Sequence, residues 1–471
     1  MADAAPISRS AFAGVPVLVA GLGRSGRAAA RHLAAFGADV VAVDDDRRLD
    51  TTDLRALGVD VQLGPWGPGE VERLDDIRLV VVGPGLPERH PVIVAAQAVG
   101  LPVWSEIELA GRLTSIPLVG VTGTNGKTTT TELATAMLVA SGVHAVAAGN
   151  VGTPLIDAVT AFPPPDAIVV ELSSFQLRFT QRLHLAAAAW LNLAPDHLDW
   201  HPSLADYAAA KARIWANQTR DDWALYPAGD ADVADHLPAG GGTPVPFTLG
   251  RPEQGAIGVE AGIALARLHG EEQPLWRAAA LRLPGRHNLA NALAASGLAL
   301  ALGANPAGMA RAVAAFSPAP HRLAQVGVVR GVSFVDDSKA TNPHAAARAL
   351  AAYRRVVWIA GGRNKGLAFD DLVEGAVDRL VGAVLIGEAA EELAYALGKA
   401  EFEGPVVQAA SMGEAVTSAF GLSEPGDTVL LAPACASQDM FTDYGHRGDA
   451  FAAAVAKLGG RPRGGERPAR S

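Results

Sequence analysis

Residues 118–129 read Leu118-Val119-Gly120-Val121-Thr122-Gly123-Thr124-Asn125-Gly126-Lys127-Thr128-Thr129. An apolar run enters a glycine-rich turn. The turn opens a stretch in which Leu133, Met137 and Ala140 share one helical face, and Gly142 stops it. Strand, phosphate loop and helix are therefore predicted. Glycines let successive backbone N–H groups converge on phosphate oxygens, the helix start adds positive potential, Lys127 reaches the transferring phosphate and the Thr128 hydroxyl suits Mg²⁺. Val121 stands where the general motif has its first glycine. The bland alternative is a turn with a solvated lysine, which the strand before and the helix after disfavour.

Towards the N-terminus a second glycine turn, Gly21-x-Gly23-x-x-Gly26, follows the apolar residues 15–20, and Asp44 closes the next β-branched run. A dinucleotide fold has this spacing. NAD, another nucleotide diphosphate or a simple tight turn satisfies it equally. Residues 40–43 and 79–82 read as buried parallel strands. The first domain is α/β, with a boundary near residues 112–116. Towards the C-terminus, strands are expected at 168–170 and around 190–193, an irregular or small β insertion over 239–273, and a helix over 288–302. Pro318 and Pro320 mark the next junction. Beyond it, residues 326–329 and 332–335 flank Arg330-Gly331 as a hairpin, and further strands near 356–359, 383–386, 406–407 and 428–431 alternate with helices. Residues 459–471, Arg-rich and without apolar periodicity, read as a disordered tail.

The 471 residues carry 39 basic and 49 acidic side chains, a formal charge of −10. That balance argues against a nucleic-acid or anionic-membrane binder. Hydrophobic residues make up 49% of the chain, which excludes wholesale disorder. The single cysteine, Cys435, rules out an intrachain disulfide and fits a reducing cytoplasm. No base stands beside it in sequence, so a small buried residue is expected rather than a nucleophile. The first residues lack a signal-peptide pattern, and residues 289–302 are too short and too polar for a membrane span.

Further polar clusters sit at strand ends. Glu171 begins Glu171-Leu172-Ser173-Ser174-Phe175-Gln176, while Asn192, Asp196, His197 and Asp199 follow another strand and Lys211 lies on the next helix. Carboxylates and imidazole there suit Mg²⁺ beside a phosphate loop. Asp336-Asp337-Ser338-Lys339-Ala340-Thr341-Asn342 precedes a helix that Pro343 can begin, and its lysine suits a carboxylate. Residues 433–441 follow a strand, where a turn into a helix offers amides to an anion.

Taken together, residues 123–128, Asn150-Val151-Gly152, residues 171–176 and 192–197, Lys211, Gly285-Arg286-His287-Asn288 with Asn291, His321-Arg322 and residues 337–342 resemble the Mur ligases. The resemblance implies three domains: a Rossmann-like N-terminal UDP-sugar domain over 1–112, a P-loop ATPase-like domain over 113–319 and a Rossmann-like amino-acid domain over 320–458. It implies an ATP-dependent amide ligase of peptidoglycan precursor synthesis that works through an acyl phosphate. The 21–26 start and Pro433-Ala434-Cys435-Ala436-Ser437, followed by Phe441, Tyr444 and Arg447-Gly448, are similar to the branch that adds D-glutamate to UDP-N-acetylmuramoyl-L-alanine.

By that resemblance Gly123, Thr124, Asn125, Gly126, Lys127, Thr128, Thr129, Asn288, Asn291, Arg322 and Asp337 contact ATP. Thr128, Glu171, His197 and Lys211, the last as a carbamate, hold Mg²⁺, with two ions expected. Lys127, His197 and Lys211 are the expected catalytic residues. Gly21, Gly23, Arg24, Ser25, Gly26, Asp44, Asp45, Asn150, Ser173 and His197 line the sugar-nucleotide site, and Lys339, Thr341, Ser437, Gln438, Phe441 and Tyr444 the amino-acid site. A monomer whose third domain closes over the substrates is expected. Alternatives are a relative using another amino acid, a nicotinamide-dependent dehydrogenase built on residues 21–26, and a nucleotide-binding switch built on residues 123–128.

Overall fold

The computed structural model describes residues 5–67, 74–198, 200–238, 240–317 and 320–459. Asp199, Pro318 and the expected tail beyond Gly459 therefore lie outside the described residues. The chain divides into two compact units, Met1–Leu193 with Trp200–Leu281 and Ala290–Phe316, and Ala194–Asp199 with Arg282–Leu289 and Ser317–Ser471.

The first unit holds two sheets. In the first, β1 (Pro16–Ala20), β2 (Asp39–Asp44), β3 (Asp60–Leu63), β4 (Leu79–Val82) and β5 (Val103–Ser105) lie in the order β3-β2-β1-β4-β5. All neighbours are parallel. Such strands bury both faces, which is why β4 is four consecutive buried aliphatic residues. Strand order reverses about β1, so the turns after β1 and β4 splay apart and leave a crevice at their carboxyl ends.

The second sheet runs through β6 (Leu118–Thr122), β7 (Ala145–Gly149), β8 (Ala167–Glu171), β9 (Ala187–Trp190), β10 (Trp223–Pro227), β11 (Thr243–Phe247), β12 (Ala256–Glu260), β13 (Ile263–Leu268) and β14 (Glu271–Arg277). Its order is β14-β13-β12-β11-β10-β9-β6-β8-β7. The expected insertion at 239–273 is thus a continuation of the sheet, with β11 parallel to β10 and β12, β13 and β14 an antiparallel meander. Tight turns at Ala261-Gly262 and His269-Gly270, all four residues with positive φ, allow that meander. The central strand β6 is buried throughout and places residues 123–126 between the ends of β8 and β9.

The second unit contains β15 (Ala324–Val329), β16 (Val332–Asp336), β17 (Val356–Gly361), β18 (Leu380–Ile386), β19 (Val406–Gln408) and β20 (Thr428–Leu431), ordered β15-β16-β20-β17-β18-β19. The β15–β16 hairpin is antiparallel and the other pairs are parallel. Helices cover both faces, and Trp358 at the centre of β17 satisfies its buried indole N–H on Ala432 O at 2.8 Å. No helix among the described residues is long and apolar enough to cross a membrane.

Candidate active site

In the first unit the crevice at the reversal about β1 is a cavity of about 340 Å³. Gly21, Gly23, Arg24, Ser25 and Asp44 line it together with residues 83–86, Asn150 and Gln176. Gly26 lies beneath, where a Cβ would collide with Gly21 O, so the helix can start hard against the strand only at glycine. The Asp44 carboxylate takes the Leu22 amide at 2.6 Å and the Asp46 amide at 2.9 Å, one on each oxygen. Asp44 thus shapes the glycine turn while lining the cavity. Asp45 faces the Trp66 amide and His90 instead of the cavity.

Ser173 and Gln176 form a capping box at the helix Ser174–Arg178. Because the Ser173 amide and hydroxyl hold Gln176 Oε1, both at 3.0 Å, the Gln176 amide orientation is fixed. Its buried Nε2 has no protein partner, and the residue lines the cavity. That donor was missed in the sequence reading, although the Ser-x-x-Gln spacing was available to find it.

The phosphate loop is braced from several sides. The Asn192 side chain exchanges two 2.9 Å hydrogen bonds with the main chain of Asn125, and Asn192 O accepts the Thr124 amide. Lys127 Nζ donates to Gly123 O and Thr124 O at 2.8 and 2.9 Å. Lys211, 1% exposed, donates to the same Gly123 O at 2.8 Å and lies 4.5 Å over the Tyr207 ring. Gly126 has φ 89°, and a Cβ there would strike the Asn291 side chain, so Asn291 packs directly under the loop. Thr128 and Thr129 are buried in the first turn of the helix Lys127–Ala140.

Glu171 closes β8, receives Asn150 Nδ2 on Oε1 at 2.9 Å and keeps a buried Oε2 with no protein partner. Asn150 O in turn accepts Arg24 Nη2 at 3.1 Å, joining the cavity to the end of β8. Among the described residues no cluster of three or more His, Cys, Asp and Glu side chains could hold a metal ion by protein ligands alone. The orphaned Glu171 Oε2 is an oxygen donor of the kind a Mg²⁺ accepts when its other ligands come from water and phosphate.

In the second unit His197, at φ 55°, follows the buried Asp196. Asp196 accepts Asn342 Nδ2 at 2.8 Å and pairs with Lys365 at 3.4 Å. Asn288 donates to Pro284 O at 2.6 Å. Asp337 takes the Leu323 amide, and burial pushes its carboxyl up to about 7 against the pull of Arg322. Burial beside Arg348 holds His287 and His344 down to about 4. His321, at φ 65°, contacts Asp336 at 2.7 Å, and Gly448 lies so close that a Cβ would collide with the imidazole. Ala434 is likewise left-handed at φ 60°. Leu323, Arg330 and Glu401 of the same unit share this left-handed backbone, so it marks turns in general.

Lys339 Nζ is 3.4 Å from Tyr444 Oη and 4.8 Å over its ring, bringing two expected amino-acid contacts together. Thr341 lies in the same turn, its amide on Lys339 O. Ser437 is buried and its carbonyl receives the Met440 and Phe441 amides. Gln438 is exposed, and Phe441 packs edge-on to His446 at 5.6 Å. Residues 433–441 do not enter a helix as expected, since the next one is Tyr444–Lys457. Their frame is Arg447, which the resemblance includes without giving it a role. Fully buried, it donates to Ser338 Oγ and to the carbonyls of Ser338, Gly361, Cys435 and Ala436. Lys365 was also missed; two residues before it Arg363 bridges Ala436, so its loop adjoins Ser437. Cys435 is buried and its thiol is pushed up to about 12, as suits a packing residue.

Three domain descriptions match the chain: Mur ligase MurD-like N-terminal domain over 16–105, Mur ligase middle domain over 121–299 and Mur ligase, glutamate ligase domain over 321–435. A Frankia casuarinae protein named UDP-N-acetylmuramoylalanine–D-glutamate ligase is 51% identical, covering 94% of each chain. The chain belongs to the Mur ligase family. A Streptomyces coelicolor Mur ligase of the same name is 45% identical over 96% of this chain and 99% of its own. Among solved structures, MurF from Acinetobacter baumannii has a TM-score of 0.57 at 16% identity, covering 96% of this chain and 92% of its own. MurC from Thermotoga maritima has 0.56 at 19%, covering 94% and 99%. At those identities the likeness shows that the fold is the three-domain α/β Mur ligase fold.

Proposed function

We propose that this Mur ligase joins D-glutamate to UDP-N-acetylmuramoyl-L-alanine at the expense of ATP, in peptidoglycan precursor synthesis. The near full-length identity to relatives carrying that name is the observation that carries the reading. The Lys339–Tyr444 pair beside the buried Ser437 loop is consistent with an acceptor bearing carboxylates. The proposed domains are 1–112 for the sugar nucleotide, 113–319 for ATP and 320–458 for the amino acid, and the proposed setting is the cytoplasm.

The alanyl carboxylate attacks the γ-phosphorus of ATP, the bond to ADP breaks, and an acyl phosphate forms. A carboxylate oxygen is a poor leaving group until it is phosphorylated. The D-glutamate amine then attacks the acyl carbon, and the tetrahedral intermediate expels phosphate as the amine gives up its proton. Protein chemistry is mainly alignment and charge neutralisation. Lys127 and the amides of residues 123–128 hold the phosphates, and Asn288, Asn291, Arg322 and Asp337 the nucleoside. Arg24, Asn150, Ser173 and Gln176 orient the sugar nucleotide, and Lys339, Thr341, Ser437 and Lys365 the D-glutamate carboxylates. Mg²⁺ bound at Thr128 and Glu171 would supply charge neutralisation to the phosphoryl oxygens. A carbamate on Lys211 would hold a second ion. A carbamate keeps an N–H for Gly123 O and replaces a buried cation by an anion.

The test is phosphate release with ATP, Mg²⁺, UDP-N-acetylmuramoyl-L-alanine and each candidate amino acid in turn. D-glutamate alone among them should give turnover; turnover with another acceptor only would defeat the assignment. Loss of activity in Lys211→Ala, with partial recovery on adding a short carboxylic acid, supports the carbamate, and full activity in that variant would exclude it. A nicotinamide reading of residues 21–26 is disfavoured by the match of residues 16–105 to the MurD-like N-terminal domain.

A further inference from the structure

Glu106 opens the helix Glu106–Arg112, directly after β5, and its side chain is 1% exposed. A carboxylate is rarely buried unless its oxygens are used. Oε1 accepts the Ile156 amide at 2.6 Å, while Oε2 has no protein partner. That amide lies in the first turn of the helix Leu155–Val159, whose N-cap is Pro154 and offers no side-chain bond. Glu106 therefore supplies, from another segment, the cap that the local sequence lacks. The loop 150–154 is pinned at that end by Glu106 and at the other by Asn150, whose amide and side chain are bound to Glu171. Arg24 donates to Asn150 O in the same loop.

The geometry points to Glu106 as a positioning residue that fixes loop 150–154, and through it Asn150 and Arg24, for the sugar nucleotide. This rests on the assignment of the 340 Å³ cavity to that substrate. Charged groups facing Glu106 are Arg24 on one packed helix and Asp157 on the other. Asp157 is itself bound by Arg31 and His32 at 2.7 Å. The role is one of acceptor geometry, since a carboxamide oxygen can also accept the Ile156 amide.

Calorimetric titration with UDP-N-acetylmuramoyl-L-alanine, and separately with ATP, tests it without turnover. Glu106→Gln keeps an acceptor in place and should bind the sugar nucleotide within about twofold of the parent. Glu106→Asp keeps the charge but withdraws it by one methylene, and Glu106→Ala removes it. Both should weaken sugar-nucleotide binding about tenfold and leave ATP binding unchanged. If the alanine variant does not fold, the contrast between aspartate and glutamine decides. Equal affinities across the series, or a glutamine variant as weak as the aspartate, overturns the inference, as does weakening of ATP binding to the same extent. A parent that binds the sugar nucleotide but forms no bond to D-glutamate sinks the proposed reaction alone, and one that binds no sugar nucleotide sinks both.

Discussion

Replacing Asn192 by alanine removes two hydrogen bonds from the phosphate loop. The side chain holds the Asn125 amide and carbonyl at 2.9 Å each, whereas the Thr124 amide is held by the main chain of residue 192 and survives the substitution. A neutral bond contributes roughly 0.5–1.5 kcal/mol, so the pair is worth about 1–3 kcal/mol. If the loop must keep its shape to receive phosphate, that energy is lost from transition-state stabilisation, a roughly 5- to 150-fold fall in kcat/KM for ATP. Asn192→Asp keeps the acceptor for the Asn125 amide, loses the donor and adds a negative charge, and should fall at least as far. Phosphate release with ATP varied and the other substrates saturating measures both variants, with circular dichroism to show that the fold is intact. An alanine variant within twofold of the parent would show that Gly123, Lys127 and Lys211 hold the loop without Asn192, and the reasoning would be wrong.

Glu108 is a fully buried carboxylate bound by Arg112 Nε and by the amides of Gln181, Arg182 and Leu183. Glu108→Ala orphans all of them and should cost about 3–5 kcal/mol, read as a shift of the denaturant midpoint; an unshifted midpoint refutes it. Asp337, raised to about 7, keeps its proton in the folded chain between about pH 4 and 7 where the unfolded chain has lost it, so its contribution to stability falls as pH rises. Asp337→Asn should therefore gain in Tm relative to the parent between pH 5 and 8, and a constant difference would contradict the burial argument. His344, held at about 4, has the opposite sign: the unfolded chain binds the proton between about pH 4 and 6.5, so the parent gains stability there. His344→Gln should lose Tm relative to the parent as pH rises through that window. Arg447→Lys keeps a cation but loses the planar fork that reaches several carbonyls, and should raise KM for D-glutamate at least tenfold while KM for ATP holds. Equal KM values would refute the framing role.

The strands were legible because buried parallel strands are short β-branched runs, and the loops because glycine marks where backbone must turn or approach closely. Residues 16–20, 79–82 and 118–122 needed no more than that. The strands β11 to β14 were not read as part of the central sheet because Gly- and Pro-rich runs show that a chain turns, not which strand it pairs with. Lys365 and Glu106 were invisible, and the role of Arg447 unreadable, for a related reason. A charged side chain is interior only if distant segments supply partners, and neither the register of those segments nor their carbonyls is written near the residue. Gln176 differs, since its local capping pattern was readable and only its cavity was not.

Arg447 grips carbonyl oxygens of residues 361, 435 and 436, atoms that every amino acid possesses. Drift of the side chains at Cys435 and Ala436 leaves those anchor points untouched. The contour of the proposed acceptor pocket is thus encoded away from the segment that displays it, on a helix that follows, and the displayed side chains are at liberty to vary without unmaking the scaffold.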